Sequence, residues 1–502
     1  LDNPKDWPLN IEGIEVVQAR KYLVDPSYSD RRPAKVFNLC RSYRYQSLGY
    51  YVSLLAAARG HKPLPDVATI QDLKLSELVR ASGHEITDVI QAALKRVRGD
   101  TFVLSVYFGQ NIEDKYNSLA LALFNLFPAP FLRAQFKRTR ADDADDKGSK
   151  SGEAEGEWSL ESVRTIAASE IPPDHFLFVL NCATRYFNRP HRRPRPVEAR
   201  YDMAILHDPE DEKTPSNPKA LKKFAKAAES MGFDVEVIGQ DDYGRLAEFD
   251  ALFIRATTRV NHYTFRFARR ASQEGLVVID DPDSIVKCSN KVYLAELLHR
   301  HRIATPPTLI LHRDNVESAP AILGFPIVLK QPDSSFSLGV IKCDDREEYE
   351  RETERLFKIS DLLIAQGFMP TLFDWRVTII DKEPLFVCKY FMAGDGKHWQ
   401  IYDNSKQGDD ALGEFETWPV SAAPPEVVKT ALKAANLIGD GLYGVDIKES
   451  APGATPGGSR AVVIEVNDNP NVDAGIEDKV LGDEVYLRIM RVFLKRLESR
   501  GR

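Results

Sequence analysis

Two apolar runs near the end of this 502-residue chain, GLYGVDIKES from Gly441 and AVVIEVNDNP from Ala461, are separated by a Gly/Pro-rich stretch, APGATPGGSR. Two such runs joined by turn-forming residues read as a β-hairpin. Strand side chains alternate between faces, so Val462, Ile464 and Val466 are expected on one face and Glu465 and Asn467 on the other. On the first strand Val445 and Ile447 point one way and Asp446 the other, so pairing brings Asp446 beside Glu465 and Asn467. The apolar face must be buried, and the polar face is then free for chemistry. Two carboxylates and an amide oxygen are hard donors that suit magnesium, which keeps part of its shell for water and phosphate. The plainer alternative is a solvent-facing strand side, where acids are common.

A chain this long exceeds one hydrophobic core and is expected to form two to four packed units. Hydrophobic residues at 43% and charged residues at 28% describe a globular protein rather than a disordered or membrane one. No apolar run is long enough to cross a bilayer, and LDNPKDWPLN lacks the blocks of a secretory signal, so a cytoplasmic address is expected, with no membrane partner. The formal charge of -7 speaks against general nucleic-acid binding. Cys40, Cys182, Cys288, Cys343 and Cys388 form no CxxC pair, which fits reduced, buried thiols without disulfides or zinc.

Two stretches break the pattern. Arg140 to Trp158 is charged, small and almost free of apolar residues, and reads as disordered. Arg189 to Arg200 mixes Pro with Arg and reads as an extended linker at a domain boundary. Before it, AKVFNLC, TFVLSVYFG and HFLFVLNCA are expected as strands and SLGYYVSLLAAARG as a helix ending at Gly60, which makes an N-terminal α/β domain. After it, YDMAILHD, FDVEVIG, FDALFIRA and GLVVIDD read as strands and PKALKKFAKAAESMG as a helix. This βαβαβ rhythm predicts a small parallel sheet, without a dinucleotide-binding GxGxxG after its first strand.

Further segments carry candidate chemistry. GFPIVLKQ places Lys330 at the end of a buried strand, before the small-residue loop DSSFSLG, whose backbone N–H groups and hydroxyls can hold phosphate oxygens. Lys291 lies in CSNKVYLAELL, where Ser289 or Asn290 caps a helix whose start presents N–H groups to anions. DLLIAQGFM runs from a strand into a hinge able to offer backbone groups to an adenine edge. Asp374 can accept from a ribose hydroxyl, and Arg376, on the same strand face, can clamp a phosphate or carboxylate. Each segment alone has an ordinary reading as a solvated lysine or an exposed ion pair.

Taken in order, Lys291, GFPIVLK with Lys330, the loop to Gly339, AQGFM, Asp374 with Arg376, Asp446 and EVNDNPN resemble the ATP-grasp superfamily. DWR, then GVDI and EVN, are most similar to its RimK-like glutamate ligase branch, and CRSYRYQSLGYYVSLLAAARGHK resembles the RimK-like ATP-grasp N-terminal domain. The resemblance implies an N-terminal domain over residues 1–195, a preATP-grasp domain over 196–285 and a two-subdomain ATP-grasp fold over 286–502, α/β and α+β in class. It implies that Lys291, Lys330, Ser334, Ser335, Gly339, Gln366, Phe368 and Asp374 bind ATP, and that Asp446, Glu465 and Asn467 hold two magnesium ions, with manganese able to substitute. Arg376 and Lys330 are the implied catalytic residues, and Arg376, Lys389 and Asn471 border the substrate. The single Gly of DSSFSLG departs from the several found in many relatives, so serine hydroxyls take a share of phosphate binding.

The implied activity is an ADP-forming ligase that joins a carboxylate to an amine through an acyl phosphate, using an amino acid such as glutamate on a small molecule, a peptide or a protein tail. A nucleotide-binding module without turnover, and a phosphoryl-transfer enzyme without an amine step, are the competing readings. A homo-oligomer is compatible with the sequence. His61, His262 and His398 are left outside the expected site, because isolated histidines are more often structural.

Overall fold

The computed structural model describes residues 1–7, 11, 13–29, 31, 34–138, 156–187, 199–211, 213–333, 339–393, 399–401, 413–449 and 460–500. Most of the charged run from Arg140, most of the Arg/Pro run, Ser334, Ser335 and His398 lie outside these residues. Trp158, the last residue of the charged run, is buried and begins a strand, so the expectation of disorder does not extend to it.

Contacts divide the chain into two units: Leu1–Arg200 with Asp241–Glu248, and Tyr201–Gln240 with Phe249–Arg502. In the first, β1 (Lys35–Phe37) and β2 (Lys62–Leu64) form a parallel pair. A separate antiparallel sheet holds β3 (Thr101–Tyr107), β4 (Phe131–Arg138) and β5 (Trp158–Thr165) in that order. The helix Leu48–Ala58 starts where the Ser47 hydroxyl accepts from the Tyr50 N–H, and the chain leaves it through Gly60 at φ +70°. One expected strand is a helix. All of HFLFVLNCA but His175 lies in the helix Phe176–Phe187, whose buried Val179, Cys182, Ala183 and Tyr186 recur at helical spacing behind Pro172 and Pro173. A continuous apolar run does not declare its period, and here the helical one wins.

The second unit opens with β6 (Tyr201–Leu206), β7 (Phe233–Ile238), β8 (Ala251–Ile254) and β9 (Val277–Ile279), all parallel in the order β7-β6-β8-β9. The helix Pro218–Glu229, capped by the Asn217 side chain on Ala220 N–H, is the first crossover. Next comes an antiparallel sheet of β10 (Thr308–Leu311), β11 (Ile327–Lys330), β12 (Val340–Cys343) and β13 (Leu363–Gly367), ordered β10-β13-β11-β12. The last sheet is antiparallel and ordered β16-β15-β14-β17-β18. It is built from β14 (Phe373–Ile380), β15 (Glu383–Phe391), β16 (Phe415–Trp418), β17 (Leu442–Glu449) and β18 (Ala461–Asp468). Its lower face buries Trp375, Val377, Val445, Ile447, Val463 and Val466 against Val427, Ala431, Ala434 and Ile438 of the helix Pro425–Ile438.

The hairpin forms with one correction. Asp446 pairs with Glu465, but Ile447 pairs with Val463, so Ile464 is the extra residue of a β-bulge. The regular alternation of Val462, Ile464 and Val466 therefore fails: Val463 and Val466 enter the lower core, while Ile464 lines a cavity on the upper face beside Glu465. An inserted residue shifts the phase of every side chain beyond it.

The loop after β18 is pinned from the parallel sheet. Arg255, fully buried, donates from Nε to Ser216 Oγ (3.0 Å), from Nη1 to Asn469 Oδ1 (2.7 Å), and from Nη2 to the Pro470 carbonyl (2.9 Å) and to the Pro215 carbonyl. Asp280 accepts from the N–H groups of Leu442 (2.7 Å) and Asn469 (2.6 Å). Arg255→Met keeps the apolar stem and strands these acceptors. It should lower the unfolding free energy of this unit by about 3–5 kcal/mol, the range for removing one member of a buried charged network. Urea unfolding followed by tryptophan fluorescence measures this, and a loss below about 1 kcal/mol would mean that water replaces the guanidinium.

Candidate active site

The upper face of the five-stranded sheet gathers the acids expected from the sequence. Arg376 on β14 lies opposite Asp446 on β17, Asp446 lies opposite Glu465 on β18, and Gly444 lies opposite Asn467. Asp374 and Lys448 join the same face through alternation on their strands. Gly444 is required here, because a Cβ would stand 2.9 Å from Pro470 Cβ and 3.3 Å from Arg376 Cδ. The missing side chain lets Arg376 lie across β17.

Each acid is ion-paired. Arg376 donates from Nε to Asp446 Oδ1 (2.6 Å) and from Nη2 to Oδ2 (2.8 Å), a bidentate fork. Lys448 Nζ lies 2.7 Å from Asp374 Oδ1, which also accepts from the Thr371 hydroxyl at 2.8 Å. Lys291 Nζ lies 2.7 Å from Glu465 Oε1. Burial alone would push the Glu465 carboxyl up, but Lys291 and Lys330 overcome it and hold the pKa below the ordinary value. Asp374 is raised by burial despite Lys448. Lys330 is drawn down from 10.5 to about 8, first by burial; Glu465 opposes the shift, and Lys291 and Lys448 add to it.

Lys291 is placed by its helix, Lys291–Arg300, of which it is the first residue. Of the two candidate caps, Asn290 is the one used, accepting from Val292 and Tyr293 N–H at 3.1 and 3.0 Å. Lys330 ends β11 as expected. Gly339, where the loop rejoins β12, has φ +71°, and a Cβ there would stand 2.3 Å from Gln331 Oε1.

Two cavities meet at this face. The first, of about 150 Å³, has apolar walls from Val328, Val340, Phe368, Met369, Met392 and Ile464 and a charged end at Lys291, Lys330, Asp374 and Lys448. The second, of about 630 Å³, is polar, with Lys213, Arg259, Arg376, Asn467, Asn471, Asp473 and Glu477 among its lining. Asp446 and Glu465 line both, and so form a shared wall.

The remaining expected residues are distributed as follows. Gln366 lines the first cavity while its amide donates to Thr308 Oγ1 at 2.9 Å. Phe368 packs edge-on to Trp399 with centroids 6.1 Å apart. The N–H groups of Gly367 and Phe368 donate to the carbonyls of Pro307 (2.9 Å) and Pro326 (3.1 Å), so the hinge does not offer those two to a base edge. Asn471 lines the second cavity and reaches Asp473 Oδ2 at 3.4 Å. Lys389 is a correction. It pairs with Trp375, on the opposite face from Arg376, and its ammonium sits 4.7, 4.8 and 3.9 Å from the rings of Phe373, Trp375 and Trp418. It borders neither cavity. Lys448 went unread, although its position two residues beyond Asp446 on one strand was the available signal. Lys213 and Arg259 come from loops after parallel strands, where no local pattern marks them.

The donor set fits magnesium. Asp446 and Glu465 are directly paired, and Asn467 turns its amide nitrogen to Asp446 Oδ2 (3.1 Å), which leaves its amide oxygen as the third hard donor. Among the described residues no cluster of three His, Cys, Asp or Glu side chains could hold a metal. The two carboxylates and one amide oxygen agree with an ion that takes only part of its shell from protein.

Among the described residues no helix is long and apolar enough to cross a membrane. All five cysteines are buried and free. A model of the RimK-like ATP-grasp N-terminal domain matches residues 19–181, and one of the RimK-like ATP-grasp domain matches residues 288–492. The chain is 28% identical over 187 residues to the alpha-aminoadipate–LysW ligase LysX of Saccharolobus solfataricus, a match covering 35% of this chain and 62% of that protein, less than two thirds of its length. It is 25% identical over 311 residues to a probable alpha-L-glutamate ligase of Aliivibrio fischeri, covering 56% of this chain and 95% of the relative. Among solved structures, a RimK domain ATP-grasp protein of Sphaerobacter thermophilus aligns with a TM-score of 0.44 and 15% identity over 58% of this chain and 98% of that one. With both domain models matched in order along its length, the chain belongs to the RimK-like ATP-grasp family.

Proposed function

We propose that this protein is an ATP-dependent, ADP-forming ligase that joins a carboxylate to the amine of an amino acid through an acyl phosphate. The observation that carries the reading is the shared wall: Asp446 and Glu465 separate an apolar cavity with a lysine-rich end from a larger polar cavity that holds Arg376. A nucleotide lying in the first has its terminal phosphate at the wall, and a substrate carboxylate in the second meets it there.

The chain's own groups then divide the work. Val328, Val340, Phe368 and Met392 enclose the base and exclude water. Lys448 and Thr371 both bind Asp374 through Oδ1, so Oδ2 is left to accept from a ribose hydroxyl. Lys291 and Lys330 place point charges at the phosphates, and Ser334, Ser335 and Gly339 complete the proposed ATP-binding set. Asp446, Glu465 and Asn467 would hold magnesium ions, two in number and replaceable by manganese, which would supply neutralising charge to phosphate oxygens. The Asp446 fork uses Nε and one Nη2 N–H of Arg376, which leaves Nη1 for an oxyanion forming in the second cavity. Positioned charge of this kind is the main catalytic device in such transfers, and no protein nucleophile is needed. The second cavity mixes cations (Lys213, Arg259) with acids (Asp473, Glu477), which matches a zwitterionic amino acid. The relative named as a glutamate ligase makes glutamate the first amino acid to try.

With a carboxylate substrate, ATP and magnesium but no amine, the protein should yield a hydroxamate when hydroxylamine is supplied, together with ADP. AMP and pyrophosphate would establish adenylation instead. Arg376→Lys keeps a cation beside Asp446 but loses the fork. It should still bind ATP while hydroxamate formation drops by roughly 100-fold or more, as for removing one key electrostatic donor. Near wild-type hydroxamate formation would remove Arg376 from the reaction, and thermal melts confirm that the variant is folded.

Lys330 gives a pH test on the metal-free protein. A lysine depressed to about 8 binds fewer protons than the same lysine in the unfolded chain between about pH 8 and 10.5, so its contribution makes stability rise with pH across that window. Phosphates favour its charged form. ADP binding at pH 8.5 in EDTA should therefore take up a fraction of a proton, visible as a dependence of calorimetric enthalpy on buffer ionisation heat. Lys330→Arg should remove the uptake, and an equal uptake in that variant would assign it to another group.

A further inference from the structure

The N-terminal unit has a cavity of its own, of about 330 Å³, lined wholly by residues of that unit. Its size falls within the range of small-molecule sites. Val36, Phe37, Val52, Phe108 and Phe187 make an apolar wall. Set into that lining is His61, only 4% exposed. Its Nδ1 lies 2.8 Å from the Tyr22 hydroxyl, and its Nε2 has no hydrogen-bond partner among the described residues. Buried polar atoms are nearly always satisfied, so an unpartnered nitrogen on a residue that lines a cavity calls for a partner from outside the described side chains.

The surroundings define what that is. Among the described residues the titratable groups around the ring include Tyr22, Tyr28, Glu15, Arg31, Lys35 and Arg59. Glu15 is taken up by Arg31 and Tyr28, and Lys35 by Glu248 at 2.6 Å. The Arg59 guanidinium lies over the Tyr22 ring, 4.8 Å from its centroid. Burial first, then the charges of Arg59 and Arg31, hold the imidazole below its ordinary pKa, so it is neutral at pH 7 and has one N–H. The Arg31 backbone carbonyl nearby favours a protonated ring nitrogen without meeting hydrogen-bond geometry at Nε2. With the phenol proton donated to Nδ1, the imidazole N–H stands on Nε2 as a donor, in a field set by two guanidiniums. That field favours an anion.

We propose that this cavity binds a small monocarboxylate with an apolar body, the carboxylate accepting from His61 Nε2–H and the body lying against Phe37, Val36 and Phe108. The site is separate from the nucleotide and substrate cavities, and does not depend on the ligase reading.

The test uses the full chain with saturating ADP and magnesium, so that the nucleotide cavity is filled, and 3-phenylpropionate as the probe; binding in the polar cavity of the other unit, which ADP leaves open, is told apart by the His61 resonance and by Val52→Trp. Calorimetry should show saturable binding, and long-range proton–nitrogen NMR should show the His61 Nε2 resonance moving during the titration. The uncharged 3-phenylpropan-1-ol should bind at least about tenfold more weakly, the scale of one lost charge-assisted hydrogen bond. His61→Leu should lose affinity by a similar factor, His61→Gln, which keeps an N–H donor, should retain most of it, and Val52→Trp should block the cavity. If His61→Leu fails to fold, the wild-type resonance and His61→Gln still decide. Absence of saturable binding at millimolar probe, binding unchanged in Val52→Trp, or equal affinity for acid and alcohol would each overturn the proposal.

Discussion

The arrangement on the upper sheet face rests on charge pairing between adjacent strands. Asp446 with Arg376, Asp374 with Lys448 and Glu465 with Lys291 are half-buried or buried pairs, and an unpaired charge in such a place is costly. Pairing holds their side chains in fixed directions. It also means that an arriving phosphate or metal ion exchanges one partner for another rather than meeting bare charge. The cost of desolvation has already been met by folding, which is how a site is preorganised.

That pairing exists only because the register of β14, β17 and β18 is held, and the register rests on small features. The bulge at Ile464 turns that side chain upward, where it closes the apolar cavity, while leaving Glu465 opposite Asp446. Gly444 clears the path of the Arg376 stem. Behind the face, Arg255 and Asp280 fix the loop that follows Asn467 from a different sheet, more than two hundred residues away in the case of Arg255 and Asn469. Their hydrogen bonds convert the position of the parallel sheet into the position of Asn469 and Pro470, beside the polar cavity.

Local features of this kind were readable in the sequence when they depended on neighbours in the chain. The alternation around Asp446, Glu465 and Asn467 reflects the two-residue period of a strand, and the Asn290 cap ahead of Lys291 reflects a local side-chain hydrogen bond. Lys389 shows the limit: it lies opposite Trp375 rather than Arg376, and pairing partners are not visible in a single strand. The helix Phe176–Phe187 failed for another reason, since a run apolar on nearly every position fits either period. The segment Asp241–Glu248, which packs in the first unit although flanked by strands of the second, has no sequence mark at all.

The charge inventory of the upper face is uneven, and the imbalance has a direction. Lys291, Lys448 and Arg376 each have a carboxylate, while Lys330, at the buried end of β11, has none within ion-pair distance among the described residues. Its neighbours are two further ammonium groups, Lys291 and Lys448, and the two acids, Glu465 and Asp374, that those lysines already hold. A buried ammonium in that position is unfavourable, and the depressed pKa of about 8 expresses it. The fold therefore stores an unmet demand for negative charge at the end of the apolar cavity where β11 stops. An anion with several oxygens, lying along that cavity, relieves it, whereas a neutral or cationic ligand of the same shape does not. On the proposed nucleotide reading, a preference for a polyphosphate over the bare nucleoside follows from Lys330, the lysine of this face with no carboxylate at ion-pair distance among the described residues.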